Sequence, residues 1–133
     1  MKNESPISVE AMMFVAASKK ELSLNDNQLA RLGFDARHDF LLDADFDGIV
    51  LQIEFASKRY FSDDTRGVRR KVSVTLVDAT ERVPVTQKSI SVAMSATQSH
   101  QAKYLVFSMA EAEFQHGHTY RVVVRDDTAG TLL

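Results

Sequence analysis

Apolar residues recur at every second position through much of this chain, and this alternation constrains its fold more than any other sequence feature. A period of two is typical of β-strands that bury one face, because successive side chains of a strand point to opposite sides of the sheet. Several such segments at near-regular spacing, with turn residues between them, predict a sandwich or barrel. The alternating segments are Ile7–Val15, Phe40–Phe46, Ile49–Phe55, Val72–Leu76, Ile90–Met94 and Tyr120–Val124.

Three details refine this prediction. In the first segment, strict alternation places Ile7, Val9, Ala11, Met13 and Val15 on one face. The segment 24–32 carries two leucines three positions apart and is followed by a glycine that suits a helix end, so we expect one short helix there. The segment 101–115 is rich in helix-forming residues, yet its alternation predicts a strand over residues 103–109.

The bulk properties narrow the class of protein. A chain of 133 residues has the size of one ordinary domain, and we expect residues 1–133 to form a single antiparallel β-sandwich of about seven strands. The formal net charge of -2 gives no overall attraction to nucleic acid or to an anionic membrane. The absence of cysteine excludes disulfides, thiolate zinc sites and cysteine nucleophiles.

The two ends of the sequence lead to two further expectations. The apolar stretch Ala11–Ala17 is too short for a membrane span and matches a signal peptide poorly, so a cytoplasmic location is expected if Met1 is the natural start. At the other end, residues 131–133 have the pattern of a strand that is only beginning. We therefore expect the domain to be the amino-terminal module of a longer, bacterial-type protein.

The segment 114–124 (FQHGHTYRVVV) is the one part of the chain with a family likeness. An apolar residue, a glycine-containing turn and then a tyrosine before a valine-rich strand resemble the E–F corner of fibronectin type III and related immunoglobulin-like domains. The resemblance implies an immunoglobulin-like sandwich in which the Tyr120 hydroxyl bonds back to the backbone near the corner. Phe114 would be the apolar residue before the turn. The chain departs from the family in having no tryptophan and in carrying His116 where proline is common.

Residues 43–54 (DADFDGIVLQIE) match the calcium-loop pattern D-x-D-x-D-G-x5-E at every specified position. Calcium prefers six to eight hard oxygen ligands, and the carboxylates of Asp43, Asp45, Asp47 and Glu54 would supply most of them. No other cofactor is expected.

The flanks of this motif favour a different interpretation. A calcium loop of the EF-hand type needs a helix on each side, whereas a strand pattern follows Gly48. Alternation alone generates D-x-D-x-D, and Asp-Gly is a favoured two-residue hairpin turn. We therefore expect a hairpin that turns at Asp47-Gly48. The alternative is a calcium loop held between strands, with Asp43, Asp45 and Asp47 as ligands.

The remaining chemistry-bearing residues form no catalytic pattern. His116 and His118 lie in one turn, where we expect them to be solvated because zinc sites usually need three or four ligands; a metal site is the alternative. Residues 66–71 form a basic cluster that we interpret as an exposed turn, with an acidic or phosphate partner as the alternative. We expect a non-catalytic module that binds a protein or a neighbouring domain through a sheet edge or loops. One alternative is a carbohydrate-binding-like sandwich with structural calcium, which would bind a small-molecule ligand. The second alternative is a small hydrolase.

Overall fold

The protein is mainly β, as the alternation predicts. A computed structural model describes residues 5–34, 39–42, 47–57, 68–94, 99–108, 114–115 and 117–133, with the side chains of residues 39–42 and 68 left out. A 3-10 turn, Glu21–Ser23, and one helical turn, α1 (Asp26–Leu29), follow the first strand. The strands are β1 (Ile7–Ala17), β2 (Asp39–Leu42), β3 (Gly48–Ser57), β4 (Val68–Asp78), β5 (Val83–Met94), β6 (His100–Ser108), β7 (His118–Asp126) and β8 (Thr131–Leu132).

The strands form two antiparallel sheets. One has the order β1-β3-β6 and the other the order β2-β7-β4-β5. The short strands β2 and β8 pair with opposite ends of β7, both on the edge that β4 leaves free. The inner faces of the two sheets pack together and form the main core, so the predicted antiparallel sandwich is confirmed. The fully buried large side chains of this core are Ile7, Ile49, Leu51, Ile53, Phe55, Val72, Val74, Leu76, Phe107 and Tyr120.

A second, smaller core covers the outer face of the β1-β3-β6 sheet. The segment after β1 folds back over this face and places Leu29 against Val50 and Ala17, all of them buried. Because both faces of β3 are covered, its first residues can all be apolar, which explains the run Ile49-Val50-Leu51. The predicted helix at 24–32 is reduced to the single turn α1, which begins at a capping box between Asn25 and Gln28.

The predicted alternation in β1 is interrupted by a β-bulge. Val9 is paired with Phe55 and Ala11 with Glu54, so that Glu10 is the extra residue between them. The bulge exchanges the two faces of the strand. Beyond it Met12 and Phe14 pack on the main core, whereas strict alternation had placed Met13 and Val15 there.

The predicted hairpin at Asp47-Gly48 is wrong. β3 pairs with β1 and β6, whereas β2 pairs with β7, so the two strands that flank this dipeptide lie in different sheets. Gly48 is instead the first residue of β3, and a methyl group there would lie 2.3 Å from the carbonyl oxygen of Phe107 and 2.9 Å from Leu22. The glycine is required by this close approach rather than by a turn.

Gly48→Ala is therefore expected to destabilise the fold by about 1–3 kcal/mol, the usual range for overpacking. Urea denaturation followed by circular dichroism measures this change. Gly33→Ala is the matched control, because nothing lies within 4 Å of a methyl group built at that position. Equal stabilities of the two variants would contradict the close-approach explanation.

Candidate interaction surface

The structure does not bring the predicted calcium ligands into one ring. Asp43 and Asp45 lie outside the described residues. Asp47 is exposed, and its carboxylate accepts a 2.7 Å hydrogen bond from the Lys19 backbone N–H. Glu54 lies seven residues further along the extended strand β3, which separates the two by roughly 23 Å at the usual rise per residue. Ligands of one calcium ion lie within 2.6 Å of it, so Asp47 and Glu54 cannot share an ion.

A smaller calcium site made of Asp43, Asp45 and Asp47 stays a prediction. Within the described ranges, no group of three or more histidines, aspartates or glutamates is placed to hold a metal ion. His116 also lies outside these ranges, and His118 is engaged by a carboxylate described below.

The corner residues named by the resemblance lie at the start of β7. Tyr120 is fully buried, and its hydroxyl accepts a 2.6 Å hydrogen bond from the Gln115 N–H and donates one of 3.2 Å to the Gln115 carbonyl. Phe114 packs edge-on against the Tyr120 ring with 5.1 Å between centroids. Burial raises the pKa of Tyr120, and the negative charge of Asp78 acts in the same direction, against a smaller lowering by the hydrogen bond at Gln115. The phenol therefore stays protonated and ties the corner to the core.

Two buried aspartates, which the sequence analysis did not single out, end β4 and β7. Asp78 accepts hydrogen bonds from the N–H groups of Thr80 (2.9 Å) and Glu81 (3.0 Å), and its other oxygen lies 2.7 Å from Nδ1 of His118. Burial acts to raise the pKa of Asp78, but the hydrogen bonds and the imidazole outweigh it and the net pKa is lowered. The ionised carboxylate holds the β4–β5 turn against the start of β7.

Asp126, the last residue of β7, joins chain segments in the same way as Asp78 does. One oxygen accepts from the Ser5 hydroxyl at 2.6 Å and from Nε of Arg70 at 2.9 Å, and the other accepts from the N–H groups of Thr128 and Ala129. Burial acts to raise the pKa of Asp126, and the hydrogen bonds with the Arg70 charge lower it by more. This carboxylate joins the amino-terminal segment, β4 and the β7–β8 turn.

The alternation itself contains the signal for both aspartates. Asp78 continues the inward series Val72, Val74, Leu76, and Asp126 continues the inward series Tyr120, Val122, Val124. An acid at an inward position that is followed by turn residues predicts a carboxylate that caps the turn, because buried charges need partners. In the described part of the chain, no serine or threonine hydroxyl hydrogen-bonds to the ring of His118, whose Nδ1 lies 2.7 Å from Asp78.

The outer face of the β5-β4-β7 sheet carries an uneven distribution of charge. Residues 69, 71, 73, 75 and 77 of β4 and residues 121, 123 and 125 of β7 point away from the core. The predicted exposed turn at residues 66–71 is wrong from Val68 onward, because β4 begins there. Of that cluster, Arg69 and Lys71 face outward, whereas Arg70 turns toward Asp126. We call this surface the basic face and define it by its cations: Arg69, Lys71, Arg82, Arg121 and Arg125.

The centre of the basic face is neutral and hydrogen-bonded. Thr75 donates to the Gln87 amide oxygen at 3.2 Å, the Gln87 amide nitrogen lies 3.5 Å from the Ser73 hydroxyl, and Ser73 donates to the carboxylate of Asp127. Asp127 is the carboxylate among the residues that line the face. In the described ranges, no ion pair engages any of the five cations.

Three shallow depressions follow one another across this face. A central one of about 390 Å³ is lined by the hydrogen-bonded network with Arg125 and Leu132. One of about 460 Å³ lies between Arg82 and Arg121, and another of the same size is lined by Arg69, Lys71 and three hydroxyl residues. The face therefore offers positive charge at both ends and hydroxyl groups in the middle.

Comparison with known proteins identifies no relative: no family model, no curated protein and no solved structure matches this chain. The helical segments in the described residues are three and four residues long, and neither approaches the roughly 20 residues that a bilayer-spanning helix takes. The fold therefore defines the protein as an antiparallel β-sandwich.

Asp126→Asn is expected to lower the melting temperature at neutral pH, because it removes the charge beside Arg70 and turns one acceptor into a donor. The folded pKa of Asp126 lies below the ordinary value of 3.8, so its contribution to stability is present above that pH and is lost as the pH falls through the folded pKa. The difference between wild type and variant should therefore shrink below about pH 4.

Thermal unfolding across this pH range tests the Asp126 prediction. Glu54→Gln, a change at an exposed carboxylate of the other sheet, is the matched control and should show no such pattern. A wild-type-to-variant difference that stays constant down to the lowest pH would argue against the buried ion pair.

Tyr120→Phe is expected to lower the free energy of unfolding by about 1 kcal/mol, because it leaves the Gln115 backbone groups without their partner. Tyr104→Phe is the control, since no hydrogen bond engages the Tyr104 hydroxyl among the residues described. Chemical denaturation of both variants gives the comparison, and a loss of equal size in the two would contradict a specific role of the corner hydroxyl.

Proposed function

We propose that this protein is a non-catalytic β-sandwich module of the immunoglobulin-like type that binds an acidic partner protein through the basic face. The observation that carries the proposal is the group of five cations on one sheet face, none of which has an ion-pair partner within the described residues. Such a surface attracts and orients an acidic partner, because complementary charge steers association and disfavours other partners.

The strand arrangement supports the immunoglobulin-like part of the proposal. The order β1-β3-β6 corresponds to strands A, B and E, and the series β4-β7-β8 corresponds to strands C, F and G. In this correspondence Tyr120 occupies the corner position at the start of strand F. β2 is an addition to that pattern, and it pairs with β7 where the last strand would otherwise run.

A sheet face is a better candidate surface than the β5 edge of the same sheet, with which no other strand pairs among the described residues. The edge strand β5 carries Pro84, which cannot donate a ladder hydrogen bond, and Lys88, whose register partner Val74 faces the core. The Lys88 ammonium lies 5.2 Å from the centroid of the buried Phe107 ring. Proline and inward-pointing lysine are devices that discourage a further strand from pairing with an edge.

The other two functions have less support. A carbohydrate-binding surface usually presents exposed aromatic rings, and none lines the three depressions of the basic face. A hydrolase needs a nucleophile beside an acid and a base. In the part of the chain that the structure describes, Asp78 and His118 make such a pair without a hydroxyl at the imidazole.

The test uses the double variant Arg121→Glu/Arg125→Glu and a matched control, Lys19→Glu/Lys20→Glu, which makes the same change of charge in the segment that covers the other sheet. Proteins captured from cells that express the chain are purified and titrated against wild type and both variants by calorimetry. We expect the control to bind as wild type does and the face variant to bind at least about tenfold more weakly, since each charged hydrogen bond contributes roughly 1.5–3 kcal/mol.

Two outcomes would overturn the proposal. One is a purified partner that binds wild type and both double variants with equal affinity. The other is a captured partner that nuclease treatment removes, which would make the face a nucleic-acid surface. Circular dichroism of both variants shows whether they keep the fold, and a face variant that unfolds is replaced by Arg121→Gln/Arg125→Gln.

A further inference from the structure

Arg82 occupies a backbone conformation that does not suit it. It ends the turn that joins β4 to β5, and its φ angle is +62°, in the left-handed region. Glycine adopts this region without penalty, whereas the Cβ atom of any other residue is crowded there. Among the described residues Arg82 is the one non-glycine residue with positive φ, so the arginine is placed where glycine would make the turn more stable.

Arg82 shares a depression of the basic face with a second arginine. Arg82 and Arg121 both line this depression of about 460 Å³, whose other lining residues are Val77, Ala79 and Val123. Two cations thus line one depression together with three apolar residues, and like charges in one depression repel each other. Within the described ranges neither guanidinium has an ion-pair partner.

Acidic groups do lie in the neighbourhood, and none of those described neutralises the pair. Asp78 is buried and holds the turn and His118. Glu81 precedes Arg82 in the turn and is exposed without an ion pair, and Asp39, whose side chain is not described, is the register partner of Arg121. Within the described residues, the depression therefore combines a strained backbone position with two cations that no ion pair neutralises, and strained positions of this kind cluster at binding sites.

We infer that the depression between Arg82 and Arg121 is a carboxylate subsite for an aspartate or glutamate side chain of an extended partner segment. A neighbouring aliphatic side chain of the partner packs on Val77, Ala79 and Val123. This inference rests on the proposed function and names the chemistry that the basic face recognises. Guanidinium groups bind a carboxylate in a two-pronged geometry, and a carboxylate between them relieves their repulsion.

The lining of the depression suits a carboxylate side chain next to an aliphatic side chain better than it suits a phosphate group. Apart from the two arginines, its lining residues are apolar and offer no hydroxyl group for a third anionic oxygen. The nearby Thr80 hydroxyl is engaged by the Thr119 N–H at 3.0 Å. The depression at the opposite end of the face is different, because Ser89, Ser91 and Thr128 line it beside its cations.

The test titrates isotope-labelled protein with two peptides, Ser-Glu-Leu-Glu-Ser-Gly and its neutral match Ser-Gln-Leu-Gln-Ser-Gly, and with inorganic phosphate, while NMR follows the backbone amides. The variants are Arg82→Gly, Arg121→Gln and, as control, Lys20→Gln on the opposite side of the sandwich. We expect the glutamate peptide to shift the amides around Ala79, Arg82 and Val123 saturably. Arg82→Gly and Arg121→Gln should weaken its binding about tenfold, and Lys20→Gln should not.

Arg82→Gly makes the test independent of folding damage. It removes the cation and also the backbone strain, so this variant should melt at a higher temperature than wild type while it binds the peptide more weakly. A lower melting temperature would overturn the strain argument. Unchanged affinity of Arg82→Gly, equal binding of the neutral peptide, or the same shifts with inorganic phosphate would each overturn the carboxylate subsite.

The outcomes for the subsite and for the whole basic face can be distinguished. If Arg121→Glu/Arg125→Glu loses a purified partner that Arg82→Gly still binds as wild type does, the basic face stands and the subsite between Arg82 and Arg121 is refuted. If neither variant affects that partner, both proposals fail together.

Discussion

The packing of two inner sheet faces against each other is the constraint on which the rest of this structure depends. Phe55 and Phe107 from one sheet and Tyr120 and Leu76 from the other are all fully buried in the same core. Burial of such apolar area is the main driving force for folding, at roughly 25 cal/mol per Å². Once these faces meet, every inward position must be apolar or fully hydrogen-bonded, and every outward position of an uncovered sheet is free for other purposes.

The two inward aspartates show how this constraint is met where the core ends. Asp78 and Asp126 occupy inward positions at the last residue of β4 and of β7, where an apolar side chain would leave the following turn without an acceptor. Each carboxylate accepts two backbone N–H groups of its turn and one further nitrogen donor, His118 or Arg70. The sandwich is thereby closed at both ends by charge that is compensated within the fold.

The basic face differs from these sites because its charge is not compensated. Asp78 and Asp126, the ionised carboxylates inside the sandwich, have hydrogen-bond partners at 2.6–3.1 Å, whereas the outward cations have no ion-pair partner in the described part of the chain. The other sheet has an outer face covered by the segment that contains α1, which buries Val50 and Leu29. One outer face is thus used for stability, and the other, with strain at Arg82, is the surface on which the proposed function rests.

The sequence by itself determined the class of fold, because period-two alternation is a local property of each strand and does not depend on which strands pair. It placed β3, β6 and β7 and the second half of β4, and it assigned Val72, Val74 and Leu76 and Tyr120, Val122 and Val124 to the inward face of their strands. It failed where one local pattern suits two environments. Asp47-Gly48 suits a hairpin turn as well as a close approach of β3 to β6, and only the pairing of β3 with β1 and β6 distinguishes them.

The bulge at Glu10 is a second case of the same kind, since one extra residue exchanges the faces of β1 without any change in composition. The basic face is a third. Its cations come from residues as far apart as Arg69 and Arg125, and alternation indicates only that Arg121 and Arg125 point outward. That they share one surface was decided by the pairing of β4 with β7 and β5, because which strands become neighbours depends on long-range packing that no local sequence pattern specifies.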